Sequence, residues 1–128
     1  TKPTTIALSD TKKLHRVDKQ LDLAGQLQAG GLAVVYQIEL KAGTTYRFEM
    51  RSPNSKVLDP YLQLRDDKGN TLAEQDGAGE PIAAFEFRPD RDAAFRLHAF
   101  SSTGSGRGGF TLTVRAIVVQ RDGAERGP

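Results

Sequence analysis

The chain has 128 residues, enough for one domain with a real core and too few for two comfortable ones. Hydrophobic residues make up 38% and charged residues 27%, an ordinary balance for a folded domain that argues against wholesale disorder. With 18 basic and 16 acidic residues the net charge is +2, too balanced to point to nucleic acid, and no cysteine is present. Disulfides, cysteine-ligated zinc and thiol catalysis are thereby excluded. No apolar stretch, Ala116 to Val119 included, comes near the roughly 18 residues that a membrane helix needs, so no membrane span is expected.

The N-terminal 19 residues read as a basic arm, with Lys2, Lys12, Lys13, Arg16 and Lys19 against Asp10 and Asp18. Residues 5–8 are a candidate edge strand, and His15 falls in what reads as irregular chain. A domain is expected over 20–119 and a polar tail or linker over 120–128. The start at Thr1 rather than Met reads as a piece of a longer protein.

Period-2 alternation then dominates. Leu21, Leu23 and Leu27 share one face of a strand at 20–28, and Gly25 reads as the place for a bulge. Val34, Tyr36, Ile38 and Leu40 line one face of the next strand. After Lys41-Ala42-Gly43, Tyr46, Phe48 and Met50 alternate with Thr45, Arg47 and Glu49, and the two runs read as a hairpin. Leu62 and Leu64 alternate with Tyr61, Gln63 and Arg65. Asp66-Asp67-Lys68-Gly69-Asn70 is turn chemistry, and 71–75 returns as a short strand. Phe85 and Phe87, then Phe95, Leu97 and Ala99, mark two strands joined by Pro89 to Asp92. Ser101 to Gly109 reads as a mobile Gly/Ser loop. Phe110, Leu112 and Val114 mark the last strand. No window carries helical spacing with caps.

Eight or nine short strands, each with one apolar and one polar face, imply an all-β, antiparallel two-sheet sandwich, jelly-roll-like, with the apolar faces packed together. The core aromatics expected are Tyr36, Tyr46, Phe48, Phe85, Phe87, Phe95 and Phe110.

The order of these pieces resembles the bacterial pre-peptidase C-terminal domain family over about residues 21–116. The matching elements are the leucine strand before a Gly-rich turn (21–31), VVYQIELKAGTTYRFEM (34–50), LDPYLQLRDDKGNTLAEQD (58–76), the AFEF and AAFRLHAF pair, and GRGGFTLTV (106–114). The resemblance implies a β-sandwich accessory module of a larger exported bacterial protein. It would be secreted, periplasmic or cell-surface, and covalently linked to neighbouring domains. It also implies calcium, since some members bind that ion in comparable loops.

No constellation for catalysis is legible. A hydrolytic triad needs nucleophile, base and orienting acid together. The two histidines lack such company: His15 lies in the arm, and His98 falls on the polar face of a strand beside Arg96. Gly104-Ser105-Gly106 sits in a loop with no helix after it. Adjacent turn carboxylates such as Asp66 and Asp67, or Asp90 and Asp92, do not face each other across a cleft. The chain is therefore expected not to be an enzyme.

Three readings stay open. The first is a non-catalytic accessory module that binds, spaces or stabilises. The second is a module for polysaccharide or a protein polymer, for which Tyr61 and Phe100 fall on outer faces as stacking rings. The third is a calcium-stabilised module, with oxygen ligands from Asp59, Asp66, Asp67, Asn70, Asp76 and Glu80, because calcium takes six to eight oxygens, usually from loops. The basic stripe has no interleaved aromatics and is not expected to bind nucleic acid.

Overall fold

The computed structural model describes residues 14–27, 33–102 and 108–117. Within them the chain forms nine strands: β1 (Leu14–Arg16), β2 (Gln20–Leu27), β3 (Val34–Leu40), β4 (Thr45–Arg51), β5 (Pro60–Arg65), β6 (Thr71–Asp76), β7 (Ile82–Phe87), β8 (Ala93–Ser101) and β9 (Gly108–Ile117). No helix occurs among the described residues. The candidate strand at 5–8, the polar tail at 120–128 and the centre of the Gly/Ser loop lie outside the described residues.

The strands form two sheets, β1-β3-β8-β5-β6 and β2-β9-β4-β7. Setting β1 aside, the antiparallel pairs nest: β2 with β9, β3 with β8, β4 with β7 and β5 with β6. This is the order of a long hairpin rolled up around a core, the jelly roll. The sandwich expected from alternation is therefore the fold observed. One addition is that β1 pairs with β3 in parallel, so the stretch around His15 is strand rather than irregular chain.

Alternation works because each inward residue of one sheet meets the other sheet. Tyr36, Ile38 and Leu40 of β3 pack with Tyr46, Phe48 and Met50 of β4, Leu62 and Leu64 of β5, Leu97 of β8, and Leu112 and Val114 of β9. All are essentially inaccessible to solvent. Burying each such side chain contributes about 1.5–3 kcal/mol before the entropy of ordering it is counted. Phe85 and Phe87 of β7 are only partly buried and pack on the core margin, Phe85 stacked on Phe48 at 5.2 Å.

Two expected local features differ. β3 and β4 are not a hairpin; they lie in opposite sheets, and Lys41–Thr44 carries the chain across the sandwich. The segment Pro89–Asp92 does the same between β7 and β8. The two crossings are tied together: Gly43 N–H donates to Pro89 O at 3.0 Å, and Ala42 N–H to Asp92 Oδ1 at 2.7 Å. A polar turn between alternating strands looks alike in sequence whether the chain turns within a sheet or crosses to the other. The second difference is Gly25. β2 runs against β9 without a register break, so no bulge is present. A Cβ at Gly25 would instead sit 2.4 Å from Tyr36 Oη and 2.6 Å from Phe110 Cζ. Glycine is needed there for close approach of two core rings.

Candidate functional site

The outer face of the five-stranded sheet collects the side chains that alternation sends away from the core. Strand register sets them in rows. Tyr61 of β5 lies directly across from Phe100 of β8, and Gln63 across from both His98 of β8 and Glu74 of β6. Arg65 lies across from Arg96.

The first row is aromatic. The Tyr61 and Phe100 rings stack at 4.7 Å between centroids and 15° between planes. Both rings are on the outer face, as expected, but they are not equally available. Phe100 is buried at 4% exposure and packs with Ala33 and Val35, whereas Tyr61 is half-buried. The pair is thus one ordered ledge with Tyr61 as its accessible part, rather than two free rings.

A polar chain borders the ledge. Tyr61 donates its hydroxyl proton to Glu74 Oε1 at 2.8 Å, and Gln63 Nε2 donates to the same oxygen at 2.7 Å. Arg65 donates from Nε and Nη2 to Gln63 Oε1 at 2.9 and 2.6 Å. The hydrogen bond to Glu74, with burial and the nearby carboxylates of Glu74 and Asp76, holds the Tyr61 hydroxyl above its ordinary pKa. Gln63 is fully buried on this nominally exposed face, and its side chain fixes the spacing between Glu74 and Arg65.

His98 departs from the expectation of a surface histidine. It is 4% exposed, and burial, with the charges of Arg65 and Arg96, pushes its pKa down to about 4. A histidine so placed is neutral at physiological pH and flanked by cations. A useful general base is poised near the operating pH.

The six residues proposed for calcium separate into two places. Asp66, Asp67 and Asn70 sit on the β5–β6 turn. Asp59, Asp76 and Glu80 sit at the other end of the same hairpin. The five residue steps of β5, at about 3.3 Å each, put those ends about 17 Å apart. Each end is also committed to its own backbone. Asp66 accepts from the N–H groups of Lys68 and Asn70 at 2.9 Å each and from Asn70 Nδ2 at 3.0 Å. The hydrogen bond from the Asn70 side chain foremost, together with the backbone donors of Asn70 and Lys68 and the charge of Arg91, outweighs burial and keeps its carboxyl below the usual range. Asp59 accepts from Gly79 N–H with both oxygens at 3.1 Å, and Asp76 accepts from Ala78 N–H at 2.8 Å. Asp67 approaches Arg91 at 3.9 Å. No group of three or more His, Asp or Glu side chains converges among the described residues. The six therefore do not form one centre.

Alternation alone puts Tyr61 and Phe100 on this face but does not single out Gln63, Glu74, Arg65 and Arg96 as their setting. One signal was available. Val34 and Val35, and likewise Ala99 and Phe100, are apolar on both faces, which marks a stretch of sheet covered on both sides.

Comparison with solved structures identifies the fold. The pre-peptidase C-terminal domain of a Bacillus anthracis collagenase superposes with a TM-score of 0.62 at 16% identity, over 80% of this chain and 95% of that one. PliG of Aeromonas hydrophila, a periplasmic inhibitor of g-type lysozyme, gives 0.62 at 13% identity, over 81% and 96%. CorA of Methylomicrobium album BG8, a surface-associated copper-binding protein, gives 0.52 at 9% identity, over 87% and 100%. No family model and no curated protein sequence matches the chain. At these identities the likeness establishes a shared architecture, and the chain has a fold like that of a pre-peptidase C-terminal domain.

Proposed function

We propose that this chain is a non-catalytic accessory module of a larger exported bacterial protein and that it binds a polymer through the outer face of its five-stranded sheet. The observation that carries the reading is the Tyr61–Phe100 ledge. It is an aromatic surface on rigid strands, pinned by a stacking partner and by Glu74, so it is ordered before any ligand arrives. Pre-ordering lowers the entropy cost of binding. A tyrosine ring with a fixed hydroxyl suits the apolar face and hydroxyls of a sugar, or the apolar edge of a protein fibre.

Export and an accessory role are supported by the company of similar folds: a domain of a collagenase, a periplasmic inhibitor and a surface-associated protein. A binding role rather than chemistry is supported by His98, held neutral between two arginines, and by carboxylates spent on backbone N–H groups.

Retention of the folded chain on insoluble polysaccharides and protein fibres tests the reading. Tyr61→Ala is expected to weaken retention several-fold, given about 0.5–1.5 kcal/mol for an aromatic contact beyond its area. Tyr61→Phe, which keeps the ring, is expected to lose less. Equal retention of all three proteins, or none on any polymer, would remove the binding role.

A further inference from the structure

The opposite outer face, on the four-stranded sheet, holds an open dish of about 700 Å³. It lies at the end where β2 finishes and β9 begins. Its floor is Ala24, Gly25 and Gly109, three residues with at most one side-chain carbon. Its apolar wall is Pro53, Pro81 and Ile82, and Arg51 stands at the rim.

The bareness of the floor is not imposed by the fold at Gly109. A Cβ there would meet Gln26 Nε2 at 3.7 Å and Gly25 O at 3.9 Å, ordinary contact distances, and the backbone is not in the left-handed region. A Cβ would fit there, and its absence keeps this part of the floor low.

Arg51 shares its carboxylate partner with Arg47. Arg47 Nε meets Glu49 Oε2 at 3.0 Å, and Arg51 Nη2 meets Glu49 Oε1 at 3.2 Å. Burial alone would raise the Glu49 carboxyl, but the bonds and charges of the two arginines outweigh it and keep Glu49 ionised. Two guanidinium groups therefore share Glu49; a second carboxylate, Glu86, lies across from Arg47, whereas Arg51 lies across from Ile82 and Thr111 with no further carboxylate opposite it. Arg51 is 56% exposed and uses Nε and Nη2 on Glu49, so its remaining N–H donors are available to an incoming anion.

We infer that this dish is a second binding site, for a small organic acid whose flat apolar body lies on the Ala24–Gly25–Gly109 floor and whose carboxylate pairs with Arg51. The size suits a small molecule, because such sites run from about 300 to 1,000 Å³. The lining is apolar apart from Arg51 and the neutral polar side chains of Gln26, Ser52 and Thr111, so the body supplies burial and the pairing of carboxylate with Arg51 supplies orientation.

The test is titration of the isotopically labelled chain with 3-phenylpropanoate, followed by amide shifts. The shifts are expected at residues 24–26 and 109–111. The uncharged 3-phenylpropanol is expected to bind about tenfold more weakly, the loss of one charge-assisted contact. Arg51→Gln should bring acid and alcohol together. Gly109→Leu, which fills the floor, should abolish both, with an unchanged melting temperature showing that the fold survives. If that variant melts lower, Ala24→Leu on the exposed face of β2 replaces it. N-acetyl-Gly-Gly-Phe carries the same ring and carboxylate on a peptide end. Binding of that peptide tenfold tighter than the acid would reassign the dish to chain ends and overturn the proposal. So would equal affinity for acid and alcohol, shifts elsewhere, retained binding in the filled variant, or no binding.

Discussion

The two outer faces of the sandwich solve the same packing problem in opposite ways. On the five-stranded sheet the polar side of the strands is occupied by its own side chains. Phe100 lies under Tyr61, Gln63 is fully buried between Glu74 and Arg65, and His98 is closed off from water. On the four-stranded sheet the end beside Gly109 carries little side chain among the described residues, and Arg51 beside it shares its carboxylate partner, Glu49, with Arg47. The contrast shows that strand alternation assigns a residue to a face but not to solvent. How much of that face is wet depends on which strands lie beside it, and in a nested topology those strands are distant in sequence.

That contrast can be broken most severely from inside. Gly25 lets the Tyr36 hydroxyl and the Phe110 ring meet beneath β2. Gly25→Val forces both aside, and overpacking of a tight core costs about 1–3 kcal/mol, with more where backbone must also move. A fall in melting temperature of about 5–10 °C is expected. An unchanged value would mean that the rings have room they are not seen to have.

His98 offers a change of nearly that size through pH alone. An unfolded histidine takes its proton near 6.5, the folded one only near 4. Between those values the unfolded state binds more protons, so stability falls as pH is lowered through that window. The loss, discounted for partial screening, is on the order of 2 kcal/mol. Urea unfolding at pH 7, 6 and 5 measures it, and His98→Gln should flatten most of the slope. An equal slope in the variant would place the titrating group elsewhere.

A smaller effect is expected at Glu74. Its removal leaves Gln63 Nε2, on a fully buried residue, without the acceptor at 2.7 Å. Glu74→Ala should cost about 1 kcal/mol. It should also let the Tyr61 hydroxyl titrate lower, toward its ordinary value, as followed by ultraviolet absorbance. The smallest effect concerns calcium. With the six oxygen-bearing residues split between two ends of one hairpin, the melting temperature is expected to stay flat from chelator to millimolar calcium. A rise that grows with free calcium would show preferential binding to the folded state and restore the calcium-stabilised reading.

Much of this was legible in the residues. The inward sets Val34-Tyr36-Ile38-Leu40 and Phe110-Leu112-Val114 follow from period-2 alternation, and Asp66 to Asn70 declares its turn through residues that bond their own backbone. What could not be read was partnership. Lys41 to Thr44 has the composition of a hairpin turn, yet it crosses between sheets, because the closing partner of β3 is β8 and that of β4 is β7. Gly25 reads as a bulge because the rings that need its space, at 36 and 110, arrive from other strands. Asp66 and Asp76 are close in sequence and far apart in space because an extended strand lies between them. Alternation puts His98 and Phe100 on the outer face, but their burial depends on β3 and β5 beside them.

If the two faces do different work, one paired measurement separates them. Tyr61→Ala and Gly109→Leu are compared with the parent chain for retention on an insoluble polymer that the parent binds. Tyr61→Ala is expected to weaken retention several-fold while Gly109→Leu leaves it unchanged. Equal retention of all three, or loss only with Gly109→Leu, would contradict it.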